Sequence, residues 1–322
     1  MGQSESMPIS TLPGHNFPLK LGTRGSRLAL AQSHEVMTRL TEVHGLAKGA
    51  IAIIAIKTSG DQILNQPLSE AGGKGLFTKE LDLALLNGDI DFAVHSAKDL
   101  PTVLPDGIAI AGYLPREDVR DAWISPQADQ PQKLPPGSLV GTASARRAAL
   151  IKRLRPDLKI KLLRGNVETR LEKIAKGEAA GTLLAFAGLK RLGLAERATA
   201  ILDTRDFLPA AGQGAIAITL RAGDLPTNAF LAPILDGKTG TALMSERAFL
   251  KILDGSCKTP IGAYASVEDD LVSLRAIVLK PDGSQFHEAD SQGPAGEAEH
   301  LGERVAQELL RRIQAGFFEA VS

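Results

Sequence analysis

The chain of 322 residues holds one cysteine, one tryptophan and two tyrosines. A lone thiol excludes an internal disulfide and cannot by itself form a thiolate zinc site, and the six histidines show no metal-ligand spacing, so no metal is expected. With so few tyrosines and tryptophans, and a single aromatic, Phe186, in the most basic stretch 141–197, the base-stacking platforms that single-stranded nucleic acid requires are missing there. Net charge is absent too: 37 Lys and Arg balance 37 Asp and Glu, so nothing draws the whole chain toward nucleic acid or a membrane surface. Residues 1–18 lack the apolar stretch of a signal peptide or a membrane span. From these absences we expect no nucleic-acid partner, no membrane, a cytoplasmic location and a disordered leader over residues 1–17. Gly72-Gly73-Lys74-Gly75 lacks the ending of a P-loop, and Gly212-Gln213-Gly214 lacks the third glycine of a dinucleotide fingerprint.

What is present is alternation. Strand patterns at 19–23, 50–56 and 91–95 alternate with helical patterns at 28–40 and 78–86, which predicts an α/β unit with a mostly parallel sheet. The continuous apolar run at 50–56 predicts a buried parallel strand. Ser26 predicts a helix N-cap. The charged, proline-bearing segment 114–122 and the Pro- and Gln-rich stretch 125–137 predict a crossing between domains. A second α/β run follows, with strands near 139–141, 160–163 and 182–186. A third unit from about Gly237 reads as α+β, with a helix at 243–253, strands at 261–267, 271–279 and 285–289, and a helix at 295–313.

The chemistry-bearing residues gather at strand ends, where open α/β sheets bind ligands. Between Gly141 and Arg197 there are fourteen Lys or Arg against five Asp or Glu, a regional basic excess inside a neutral chain. A charge run is usually a solvated face, but Arg146-Arg147 and Arg164 directly follow strands, and arginine forks pair with carboxylates bidentately. Phe186 is the one aromatic in that window, so a compact polycarboxylate fits better than nucleic acid. Lys98-Asp99 puts a carboxylate and its counter-ion at another strand end, suited to stabilising a developing cation or moving a proton, unless it is only an ion pair or cap. Cys257 lies on a turn-forming stretch, Asp254-Gly255-Ser256-Cys257-Lys258-Thr259-Pro260; a free cysteine in such a place is a buried small hydrophobe or a reachable thiol.

Taken together, Gly22-Thr23-Arg24-Gly25-Ser26, Gly72-Gly73-Lys74-Gly75-Leu76-Phe77, His95-Ser96-Ala97-Lys98-Asp99-Leu100-Pro101, Gly141-Thr142-Ala143-Ser144-Ala145-Arg146-Arg147, Leu163-Arg164-Gly165-Asn166, Ala187-Gly188-Leu189-Lys190-Arg191 and the cysteine loop closely resemble the porphobilinogen deaminase family. The resemblance implies two periplasmic-binding-protein-like α/β domains with a cleft between them and a smaller C-terminal α+β domain. The expected boundaries are 18–115 with 214–232 for the first, 119–209 for the second and 237–322 for the third. It implies a transferase that deaminates porphobilinogen and joins it head to tail on a dipyrromethane cofactor, held by Cys257 through a thioether, and then releases a linear tetrapyrrole by hydrolysis. It places Asp99 as the catalytic group. Lys98, Ser144, Arg146, Arg147, Arg164, Gly188 and Arg191 are implied as cofactor contacts, and Arg24, Ser26, Lys74, Ser96, Thr142, Arg164 and Arg170 as substrate contacts. Phe77 is implied as a lid candidate. Porphobilinogen is the expected small-molecule partner, a monomer the expected state, and the product is expected to pass to the next enzyme of the pathway. Glu70 departs from the family, which commonly has a basic residue there, and Ser256 replaces a glycine. A non-catalytic solute-binding protein on the same fold is the alternative reading.

Overall fold

The computed structural model describes residues 18–62, 75–253, 259–314 and 316–318. The leader, Glu70, Lys74 and Cys257 lie outside them. The chain divides into two compact units, one of residues 18–62, 75–116 and 215–237, the other of 117–214 together with residues from 238 onward.

In the first unit, β1 (Leu19–Arg24) leads through α1 (Arg27–His44) to β2 (Ile51–Ile56), the short α2 (Ser59–Gln62), α3 (Lys79–Leu86), β3 (Phe92–Ser96) and β4 (Ile108–Tyr113). The second unit opens with β5 (Asp121–Ile124) and continues as β6 (Leu139–Gly141), α4 (Ala145–Leu154), β7 (Lys159–Lys161), α5 (Val167–Ala175), β8 (Gly181–Ala185), α6 (Phe186–Arg191) and β9 (Ala200–Ile201). The chain then returns to the first unit with β10 (Ile216–Arg221) and α7 (Leu225–Leu231). It finishes as α8 (Gly237–Ile252), β11 (Ile261–Glu268), β12 (Leu271–Leu279), β13 (Phe286–Pro294) and α9 (Ala298–Arg312).

The first sheet has the order β2-β1-β3-β10-β4 and the second β7-β6-β8-β5-β9. These are one topology. Three parallel strands occupy one side, and a single strand, β10 or β5, runs antiparallel to both its neighbours. In each case that strand is the first the chain forms after entering from the other unit. The third sheet, β11-β12-β13, is an antiparallel meander. The α/β class with a smaller α+β part therefore stands.

Helix faces follow the apolar spacing. In α1 the buried positions are Ala29, Gln32, Ser33, Val36 and Leu40, one stripe at the helical period, and Ser26 caps its start by accepting the Ala29 N–H at 3.3 Å. Val36 and Leu40 pack with Leu21, Phe92 and Ile218 as the core under the first sheet. In α9 the stripe is Ala298, Leu301, Gly302, Val305, Ala306 and Leu309. Gly302 is small of necessity, because a Cβ there would stand 2.1 Å from the Ser245 carbonyl of α8. The second sheet and the C-terminal meander share a core: Trp123, Val140, Leu150 and Leu183 cluster with Ile277 and Leu279. Trp123 is fully buried and its indole N–H donates to the Ala128 carbonyl at 2.9 Å.

Two expectations need correction. The run at 50–56 is parallel but not a buried interior strand: β2 pairs with β1 alone among the described residues, and Ile54 is 37% exposed. An apolar run reports burial on average and does not say which strand stands at the edge. The crossing expected within 114–137 is present but narrower than that segment: it falls at Arg116 and Glu117, and β5 follows at Asp121 with all four residues buried. A strand opening on a charged residue was hidden because the partners of that charge lie far along the chain.

Candidate active site

The first unit brings Arg24, Phe77 and Asp99 together. Arg24 ends β1, and Asp99 lies in the 3-10 turn Ala97–Asp99 that follows β3, the neighbour of β1. Arg24 Nη1 is 3.6 Å from Asp99 Oδ2, with side chains 21% and 29% exposed, and the guanidinium sits 4.1 Å from the centroid of the Phe77 ring. The carboxylate is therefore reachable and has a cation beside it. Phe77 comes from the turn before α3, where the Leu76 carbonyl accepts the Gly60 N–H at 2.9 Å. Ser96 Oγ donates to Oε1 of the buried Gln32 at 3.1 Å, and Lys98 is half-buried in the same turn as Asp99. His95 is buried with Nε2 2.9 Å from Thr219 Oγ1; burial, and then the Arg24 charge, push its pKa down to about 4. It is a neutral imidazole near neutral pH.

The second unit holds the arginines, and it does more with them than a basic face would. Thr142 follows β6, and its Oγ1 accepts the Ser144 N–H at 3.1 Å; Ser144 caps α4 by accepting the Arg147 N–H at 3.4 Å. This turn sends Arg146 and Arg147 inward, where both are buried. They close on Asp121, the first residue of β5, which has no exposed side-chain surface. Arg147 donates from Nε at 3.0 Å and from Nη2 at 2.6 Å to Oδ1, and from Nη1 to the Leu183 carbonyl at 2.9 Å. Arg146 Nη1 is 2.8 Å from Oδ2 and donates to the Leu208 carbonyl at 2.8 Å. Gln213 Nε2 adds a further bond to Oδ1 at 3.0 Å. Burial alone would raise the Asp121 pKa; Arg146 and then Arg147 outweigh it and hold the carboxyl far below the usual range. Burial lowers the pKa of Arg146.

Arg164 is also buried, with its pKa lowered by desolvation, and follows β7 at the start of a tight turn. Gly165 has φ +123°, and its carbonyl accepts Arg170 Nε at 2.9 Å, which orients Arg170 from the first turns of α5. Gly188 is buried in α6, and Arg191 at that helix's end donates to the Gly214 carbonyl at 3.1 Å. Asp121 and Gln213 escaped the reading of the sequence. The usable signal was an acid directly followed by Ala122-Trp123-Ile124, an apolar strand inside a charged run.

Two like α/β sheets, buried arginine forks at the start of α4 and a reachable carboxylate beside Arg24 define a two-unit α/β protein whose polar groups suit anionic ligands. The family profile "Porphobilinogen deaminase, dipyromethane cofactor binding domain" matches residues 19–229, and "Porphobilinogen deaminase, C-terminal domain" matches residues 241–311. The proteins named porphobilinogen deaminase from Nitrobacter hamburgensis and Nitrobacter winogradskyi are each 56% identical over 298 residues, spanning 92% of this chain and 94% of theirs. The chain belongs to the porphobilinogen deaminase family. It is accordingly a transferase of porphyrin and tetrapyrrole biosynthesis that polymerises porphobilinogen and uses a dipyrromethane cofactor. Among solved structures, a putative methionine-binding lipoprotein from Bacillus subtilis is similar at TM-score 0.43 and 11% identity, over 68% of this chain and 90% of that one.

Proposed function

We propose that the named residues divide the labour of this reaction as their chemistry suggests. Asp99 is the catalytic group: its carboxylate holds the pyrrole N–H of the substrate and stabilises the positive charge that develops as ammonia departs. Arg24, Ser26, Lys74, Ser96, Thr142, Arg164 and Arg170 bind the acetate and propionate groups, with arginine forks supplying charge-assisted bonds of about 1.5–3 kcal/mol each. Phe77 closes over bound substrate. The cofactor, when bound, supplies a pyrrole terminus to which the first substrate unit is joined. Cys257 holds it through a thioether, and Lys98, Ser144, Arg146, Arg147, Arg164, Gly188 and Arg191 hold its polar groups. The donor set fits such a group, because the buried Nε–H of Arg146 takes no acceptor among the described residues. We further propose the three-domain division 18–115 with 214–232, 119–209 and 237–322, a monomeric state, a cytoplasmic location without nucleic-acid or membrane partners, and transfer of the product to the next enzyme. Among the described residues no helix is long and apolar enough to cross a membrane.

The observation that carries the catalytic assignment is the pairing of a reachable Asp99 with Arg24 at neighbouring strand ends. Asp99→Asn keeps the side-chain volume and removes the charge. Turnover of that variant should fall by at least a hundredfold while it still binds porphobilinogen, and near-normal turnover would remove Asp99 from the role.

A further inference from the structure

The Asp121 cluster is out of balance. Two guanidiniums surround one carboxylate, so the described residues leave one excess positive charge in a buried place; within the cluster the Arg146 Nε–H and the Asp121 Oδ2 are both buried without a hydrogen-bond partner. Buried charge and buried donors are costly when unpaired. Apolar packing in place of a buried ion triad is commonly no less stable, so stability alone does not account for this one. The excess charge is met by one further carboxylate.

Asp121 also does something the arginines cannot do for themselves. Adjacent residues on a helix point about 100° apart, yet Arg146 and Arg147 converge because each takes one oxygen of the same carboxylate. Oδ1 receives Arg147 through Nε and Nη2 and also Gln213, while Oδ2 faces Arg146 Nη1. The Leu183 carbonyl takes Nη1 of Arg147, so all three of its nitrogens are engaged, and the Leu208 carbonyl takes the same Nη1 of Arg146 that faces Oδ2. Guanidiniums placed in this way before any ligand arrives lower the ordering cost of binding through their remaining N–H groups.

We propose that Asp121 is a positioning residue of this reaction: it converges Arg146 and Arg147 and cancels one of their charges, so that the pair receives one carboxylate of the pyrrole chain. The proposal rests on the reading of Arg146 and Arg147 as carboxylate forks. It separates from charge neutralisation alone by the sign of an effect. If Asp121 only diluted positive charge, its removal would leave binding of an anion unchanged or tighter. If it positions the forks, removal weakens binding although the site becomes more positive.

The test uses the full-length protein purified after expression with porphobilinogen available. For Asp121→Asn we expect a melting temperature lower by roughly 10 °C, as for a broken buried ion pair in a chain of this size. At a temperature well below its melting point, the fraction carrying cofactor by intact mass should drop several-fold, and KM for porphobilinogen in the loaded fraction should rise at least tenfold, with kcat falling less. Either effect in folded protein supports the proposal. A folded variant with the wild-type loaded fraction and an equal or lower KM overturns it. Should Asp121→Asn not fold, Asp121→Glu decides, because it keeps the charge and displaces the carboxylate by one methylene: reduced loading or raised KM supports the proposal, and wild-type behaviour overturns it. Arg147→Lys keeps the charge without the fork; if it loads and binds as wild type, the arginine reading itself fails, whatever Asp121 does.

Discussion

Arg147 shows what burial makes of a residue that strand-end position marks as a ligand fork. Its side chain is 6% exposed, and three of its nitrogens are committed to Asp121 and Leu183. Arg147→Ala should therefore cost about 3–5 kcal/mol in urea or thermal unfolding, because it strips Asp121 of its nearer partner, and the assembly defect should appear on top of that loss. A stability change under 1 kcal/mol would contradict the buried geometry. The sequence showed which residues carry charge and that they sit after strands. It did not show which of them are solvated by ligand and which by protein, since Asp121 lies 26 residues from Arg147 and pairing at that distance leaves no local pattern.

Helix α4 is the element on which the second sheet and the C-terminal meander both pack. Its first turn carries Arg146 and Arg147, and its middle receives the tip of the β12–β13 hairpin. Gly283, at φ +71°, is so close that a Cβ would stand 2.4 Å from the Arg153 nitrogen and 2.5 Å from the Ala149 carbonyl. Arg153 then bonds Glu288 at 2.8 Å and lies 3.6 Å from the centroid of the Phe286 ring. Gly283→Val should lower the melting temperature by several degrees through positive-φ strain and loss of this docking, as followed by circular dichroism; an unchanged value would show that the hairpin does not bear on α4. Ser144→Ala should cost about 1 kcal/mol by uncapping α4, read in the same unfolding experiment. Helices were the legible elements: the stripes of α1 and α9 follow the apolar spacing closely. Strands were less so, because β5 is four residues long and opens on an acid, while β9 has two residues, too few for a period.

Among the described residues, two buried groups, His95 and Asp121, contribute to the acid response in different pH ranges. The folded-state pKa of His95, about 4, lies below its unfolded value near 6.5, so the unfolded chain binds the extra proton; stability is lost as pH falls from 6.5 toward 4, by about 3 kcal/mol when complete. Asp121 is depressed below the ordinary carboxylate value, so its contribution is present above about pH 3.8 and is lost only below it. Unfolding measured from pH 7 to 4 should show the first loss, and a His95→Gln variant should flatten that segment; an unchanged slope would remove His95 as its source. The topology as a whole was only partly legible. Alternation of strands and helices indicated α/β, but the shared order of the two sheets depends on β5 and β10, each placed among strands that come later or much earlier in the chain. The central claim is that this chain is an enzyme primed by a dipyrromethane on its one cysteine. Intact mass of the purified protein, with peptide mapping, tests it most directly. The account predicts a mass above that of the chain by one dipyrromethane, located on the peptide containing Cys257 and absent from Cys257→Ser. A mass equal to the bare chain after expression with porphobilinogen available would contradict it.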